Sequence, residues 1–148
     1  MKRMKKIILL LTPAVLLIFA ASCTKNGCDI PEAVNYDAEA TQNDGSCEYG
    51  GNVVFWCLPA ISDSLKNIEG HPMLYFELEG NIVDSTTTET FFAADGQCGL
   101  TGAMTIKREF TGNTERYYKY RVKGTNYATL YEDIITIVAN ECTIIRLE

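Results

Sequence analysis

The chain reads as an all-β protein: a single antiparallel β-sandwich of about seven strands, preceded by a small disulfide-stapled loop module. Three observations carry this. From Asn52 onward apolar and polar residues alternate, and β-branched and aromatic residues are frequent. Turn-forming residues separate the alternating runs at short intervals. Helical periodicity is nearly missing beyond residue 23, and over residues 24–51 no apolar period of either kind is sustained.

The first strand is read at Asn52–Cys57, "NVVFWC". Two more flank Glu79-Gly80-Asn81, with Leu74, Phe76 and Leu78 on one face and Ile82-Val83 restarting after the turn. "AMTIKREFTGNTERYYKYRV" predicts a hairpin turning at Gly112-Asn113. Met104, Ile106 and Phe110 share one side with Arg108 as the exception, and Tyr118, Tyr120 and Val122 return along one face. "LYEDIITIVANECTIIRLE" predicts another, tipped by Ala139-Asn140-Glu141, with Ile135 and Ile137 opposite Ile134, Thr136 and Val138. Between Ser62 and Ile68 the pattern allows one helical turn, with Ser62 as N-cap, or a plain loop.

The start of the chain has a different character. Lys2, Arg3, Lys5 and Lys6 precede an apolar run from Ile7 to Phe19, and "AAS" leads into Cys23. This is the layout of a secretory signal over residues 1–22, and the run is shorter than the roughly 20 residues of a membrane span. Its removal takes four of the 13 bases and none of the 19 acids, leaving nine bases against 19 acids, a net −10. Such a balance argues against a nucleic-acid partner, which needs clustered Lys and Arg. It suits one exported, acidic domain.

Six cysteines fit export to an oxidising compartment. With Cys23 set aside, five remain, an odd number. A Cys28–Cys47 bridge would staple a polar segment too small to fold on its own core, and contribute roughly 3 kcal/mol in the chain-entropy model. Residues 23–51 then form the stapled module, Gly50-Gly51 a hinge, and 52–148 the sandwich.

Two resemblances add to this. "AASC" resembles a bacterial lipobox, with Ala20 where Leu is usual. It implies that Cys23 is lipidated, and Thr24, where an inner-membrane retention signal would carry Asp, points to anchoring in the bacterial outer membrane, on its periplasmic or surface face. Gly27, Cys28, Ala33, Asn35, Tyr36, Ala40, Asp44, Gly45, Ser46, Cys47 and Tyr49 resemble, without a gap, a cysteine-bounded repeat of secreted Bacteroidota proteins. That repeat is a small extracellular module without enzymatic activity, in some members likened to calcium-binding thrombospondin type 3 repeats. The remainder, through "NVVFW", "CGLTGAMTI" and "ITIVANECTIIRL", is similar to Ig- and transthyretin-like or carboxypeptidase-regulatory-like sandwiches, which are not catalytic. In that group two cysteines recur together at the places of Cys98 and Cys142, which the resemblance thereby implies as the second disulfide.

Candidate site residues follow. Asp29, Asn35, Asp37 and Asp44 offer the hard oxygens that calcium takes, though the spacing is not that of an EF-hand, and Asn, Asp and Gly there also read as turn formers. Trp56, Tyr117 and Tyr127 are the candidates for an aromatic ligand-binding face, set against packing in the core. Catalysis has little support. His71 is the single histidine, Cys57 reads as a small buried hydrophobe, and Glu77 and Glu79 read as a solvated strand face. The expected function is therefore a non-catalytic interaction or structural module, lipid-anchored at the envelope, with a protein or glycan as ligand. A carbohydrate-binding protein is the alternative.

Overall fold

The structure, a computed structural model, describes residues 24–148. The signal segment and the lipid site at Cys23 lie outside them. A short parallel pair, β1 (Asn26–Gly27) and β2 (Gln42–Asn43), opens the fold. Seven longer strands follow: β3 (Glu48–Trp56), β4 (Met73–Leu78), β5 (Asn81–Thr87), β6 (Met104–Thr111), β7 (Glu115–Lys123), β8 (Thr129–Val138) and β9 (Cys142–Arg146). They form a three-stranded sheet in the order β6-β3-β9 and a four-stranded sheet in the order β5-β4-β7-β8. All pairings in these two sheets are antiparallel except β3–β9, which is parallel.

The expected faces pack as alternation dictates. Val53, Phe55, Ile106 and Phe110 of one sheet meet Leu74, Phe76, Leu78, Tyr118, Tyr120, Val122, Ile135 and Ile137 of the other in one buried cluster. Phe55 sits 5.2 Å from Phe76 and 5.1 Å from Tyr120, centroid to centroid. Both of those separations lie within the range where tilted rings attract.

Both of the longer predicted hairpins prove to be corners between sheets. β6 pairs with β3 while β7 pairs with β4 and β8, and β9 leaves β8 to lie beside β3. The physical reason is the apolar faces themselves. Ile106 and Phe110 meet Tyr118 across the core, Phe110 and Tyr118 edge to face at 6.5 Å, instead of lining one sheet side by side. Alternation is identical in either arrangement, so it does not separate them.

The helical segment also differs. It starts at Pro59, with α1 over Pro59–Asp63, and continues as a π-helical turn over Ser64–Ile68. Pro59 stands at the first position, where its missing N–H costs nothing. Ser62 is no cap. It is buried, and its hydroxyl donates to the Thr88 carbonyl.

Candidate functional site

The stapled module is welded to one end of the sandwich. Cys28 and Cys47 are bridged, with Cα atoms 4.8 Å apart, and both join Ala33 in the buried cluster. Val34 N donates to Glu48 O at 2.7 Å, Glu48 N donates to Asn35 Oδ1 at 2.8 Å, and Asn140 Nδ2 donates to Glu32 O at 2.9 Å. Gly50 and Gly51, expected as a hinge, lie inside β3, which begins directly after Cys47 and crosses the expected boundary at 51/52. A glycine is needed at 51 because a Cβ there would strike the Val138 carbonyl and the Ile137 side chain. The glycine pair thus marks close packing of strands and not a pivot.

The oxygens proposed for calcium are engaged within the module. Asp29 Oδ1 accepts from Asn43 Nδ2 at 2.7 Å. Asn35 bridges Ser46 O and Glu48 N. Asp37 accepts from Glu39 N and pairs with Lys25 at 2.8 Å. Asp44 accepts from Ser46 N at 2.9 Å, and bonds to Ser46 hold its carboxyl below the usual range. Asp37 and Asp44 close turns on the backbone two residues on, while Asp29 and Asn35 tie together distant parts of the module. Among the described residues, no group of three His, Cys, Asp or Glu side chains is placed to hold a metal ion.

The two sheets differ in what covers their outer faces. Over the three-stranded sheet lies the β5–β6 connection, residues 88–103. A Cβ on Gly96 would collide with Trp56 and Ile144, and the Cys98–Cys142 disulfide ties the connection to the start of β9. Trp56 is accordingly buried, with the Arg146 guanidinium 5.5 Å from its ring centroid. It is no part of an exposed aromatic face, which corrects the expectation for that residue. The sequence signal was there in Gln97-Cys98-Gly99, a loop cysteine able to staple the loop down.

The four-stranded sheet is open on its outer side. Tyr118, Tyr120 and Val122 face the core, so Tyr117, Lys119, Arg121 and Lys123 project outward from β7. They meet Glu77 from β4 and Glu132 from β8. Arg121 Nη1 donates to Glu77 Oε1 at 2.6 Å and Arg121 Nε to Glu132 Oε2 at 2.7 Å, Lys119 pairs with Glu132 at 3.1 Å, and Lys123 pairs with Glu77. Glu77 is only 3% exposed beneath the stems of these bases. Its expected role as a solvated carboxylate is corrected. The bonds from Lys123 and Arg121 hold its pKa below the ordinary glutamate range against the opposing effect of burial. Glu79 is not on the strand face either. It occupies the β4–β5 turn with φ 50°, and its carboxylate accepts from Lys119 N at 2.6 Å.

Tyr127 and Tyr117 lie at opposite ends of this sheet. Tyr117 is 66% exposed, near the module, where it lines a groove of about 650 Å³ with Ile30, Tyr49, Asn113 and Arg116. Tyr127, 56% exposed, lies in the β7–β8 loop at the far end and stacks on Tyr75 with centroids 4.8 Å apart. Its φ of 61° is uncommon for a bulky side chain. Bonds from Tyr127 N to Gly124 O at 2.8 Å and from Gly124 N to Ala128 O at 2.9 Å hold it there. Tyr75 was missed from sequence. Its place between Leu74 and Phe76 on an alternating strand is the signal that it points outward.

The remaining chemical groups are quiet. Cys57 is fully buried and donates to Phe91 O at 3.1 Å, and burial pushes its thiol up to about 11. Little thiolate exists at neutral pH in such a place. The His71 imidazole packs on Gly124 and its Nδ1 has no hydrogen-bond partner among the described residues. Compared with protein-family models, curated proteins and solved structures, the chain matches none of them.

Proposed function

We propose that this is a non-catalytic, lipid-anchored envelope protein that holds one sandwich face out toward a partner. The carrying observation is the polarity of the fold. The first described residue, Thr24, follows the proposed lipid site Cys23 directly and belongs to the module. The module is bonded to the end of the sandwich formed by Glu48 and Asn140, while Tyr75 and Tyr127 lie at the other end, where β4 begins and β7 runs out. A rigid stapled foot would set this face away from the bilayer. The anchor would be stable because each buried CH₂ of an acyl chain contributes about 0.8 kcal/mol. A buried, protonated Cys57 and an ion-paired Glu77 suit a binding role better than catalysis.

Carbohydrate is the second reading, favoured by the exposed Tyr127 ring stacked on Tyr75, whose partner across the β4–β7 pairing is Lys123, since aromatic faces stack on sugar rings while charged groups bond hydroxyls. Fractionation of cells carrying wild type and Cys23→Ala tests the anchor. Wild type is expected with the membranes and the variant in the soluble fraction, and identical partitioning removes the lipid from the account. A glycan array probed with wild type and Tyr127→Ala tests the second reading. Silence for both, alongside capture of a protein partner, ends it.

A further inference from the structure

We propose that the two edges of the four-stranded sheet are latent strand-pairing surfaces, held shut by Asp84 and Asp133 against a second copy of this chain. The outer strands are β5 and β8, and each presents a row of backbone groups on its unpaired side. In an antiparallel strand the N–H and C=O of one residue point to the same side, and neighbouring residues point to opposite sides. Thr88 N donates to Pro72 O, toward β4, so Ser85 and Thr87 point away from the sheet. On β8, Thr136 O accepts from Thr143 of β9 in the other sheet, so Thr136 and Ile134 point away from β7. Of these four outward N–H groups, one on each edge is capped by the carboxylate of the preceding residue. Ser85 N donates to Asp84 Oδ1 at 2.7 Å, and Ile134 N donates to Asp133 Oδ1 at 2.8 Å. The same device thus stands on both edges. Thr87 O is also occupied, by Thr90 N at 3.3 Å.

β5 is the more exposed to pairing. In "NIVDSTT" Asp84 is the sole charge, there is no Lys or Pro, and four of the seven residues are β-branched. Such a strand pairs readily with another when its outward donors are free. β8 is shielded in part by β9 through the Thr143 bond. A symmetric β5–β5 pairing centred on Asp84 would also set two carboxylates face to face, so this residue opposes the second copy by charge as well as by capping.

The test is the mass of the purified protein by size-exclusion chromatography with light scattering, with folding followed by circular dichroism. Wild type and Asp84→Asn, which keeps the acceptor oxygen, are expected at monomer mass. Asp84→Ala is expected at twice that mass or more. Asp63→Ala, which removes an exposed carboxylate elsewhere, is expected to stay monomeric. The double variant Asp84→Ala/Ser85→Pro, which deletes the freed donor itself, is expected to return to monomer. A folded, monomeric Asp84→Ala overturns the proposal, and so does a double variant that associates as the single one does. Should Asp84→Ala not fold, Asp133→Ala applies the same criterion on the other edge: association supports the proposal, and a folded monomer overturns it.

Discussion

Tyr127 stacks on Tyr75 with ring centroids 4.8 Å apart, in a loop that holds Tyr127 at φ 61°. A strained backbone that keeps an aromatic ring exposed suggests that the ring has a use there. Tyr127→Ala removes the ring and leaves the strain, whereas Tyr127→Gly removes both. The glycine variant is expected to be more stable than the alanine variant by about 1 kcal/mol in urea melts. Both are expected to lose partner binding, and equal stabilities would show that the loop is not strained at this residue.

Glu77 makes stability depend on pH. Its folded pKa is depressed, so it stabilises the fold fully above the ordinary glutamate value of 4.5, and that contribution is lost as pH falls through the lower folded value. Glu77→Gln is expected to cost about 2 kcal/mol at neutral pH, the scale of bonds to a buried charge. The gap between variant and wild type is expected to close as melts are repeated below pH 4.5. A gap that stays constant with pH contradicts the ion-pair account.

Gly50 and Gly51 separate a weld from a hinge. A Cβ on Gly50 would meet Val34 Cγ2 at 3.4 Å, an ordinary contact, while one on Gly51 would strike backbone. Gly51→Ala is expected to destabilise by about 1–3 kcal/mol, and Gly50→Ala to lie within roughly half a kcal/mol of wild type. Thermal melts that tolerate both substitutions equally would restore the hinge.

The Cys98–Cys142 bridge closes a sequence separation of 44 and pins the cover over Trp56. Replacing both by Ser is expected to cost about 4 kcal/mol in the chain-entropy model. Trp56 fluorescence, from the single tryptophan of the chain, is expected to shift to longer wavelength as the cover loosens. An unmoved spectrum would mean that packing alone holds the cover down.

Cys57 is expected to resist thiol reagents in the folded protein and to react at once in denaturant, given its burial and a thiol pKa of about 11. Rapid labelling of the native protein would return it to the candidates for chemistry.

The strands were largely legible because alternation marks them residue by residue. Leu74, Phe76 and Leu78, and Tyr118, Tyr120 and Val122, are buried as their pattern requires. Which strand pairs with which was not legible. Ile106 and Tyr118 have the same alternation whether they line one sheet or face each other across two. Trp56 went astray for a related reason, since its cover comes from residues more than thirty positions later, and the expected Cys98–Cys142 bridge does not by itself say which side chain the tied-down loop will cover. Glu77 looked solvated because a strand pattern says which way a side chain points and not that Arg121 and Lys123 lie over it. Gly50-Gly51 carries the same composition in a hinge as in a close-packed strand.

Display of the far face to a partner is tested most directly by photo-crosslinking in intact cells. A photoreactive residue is placed at Tyr127, at the far end, or at Asn113, in the turn beside the module. The account predicts a discrete adduct with a partner at 127 and none at 113. An adduct at 113 with none at 127 would contradict it.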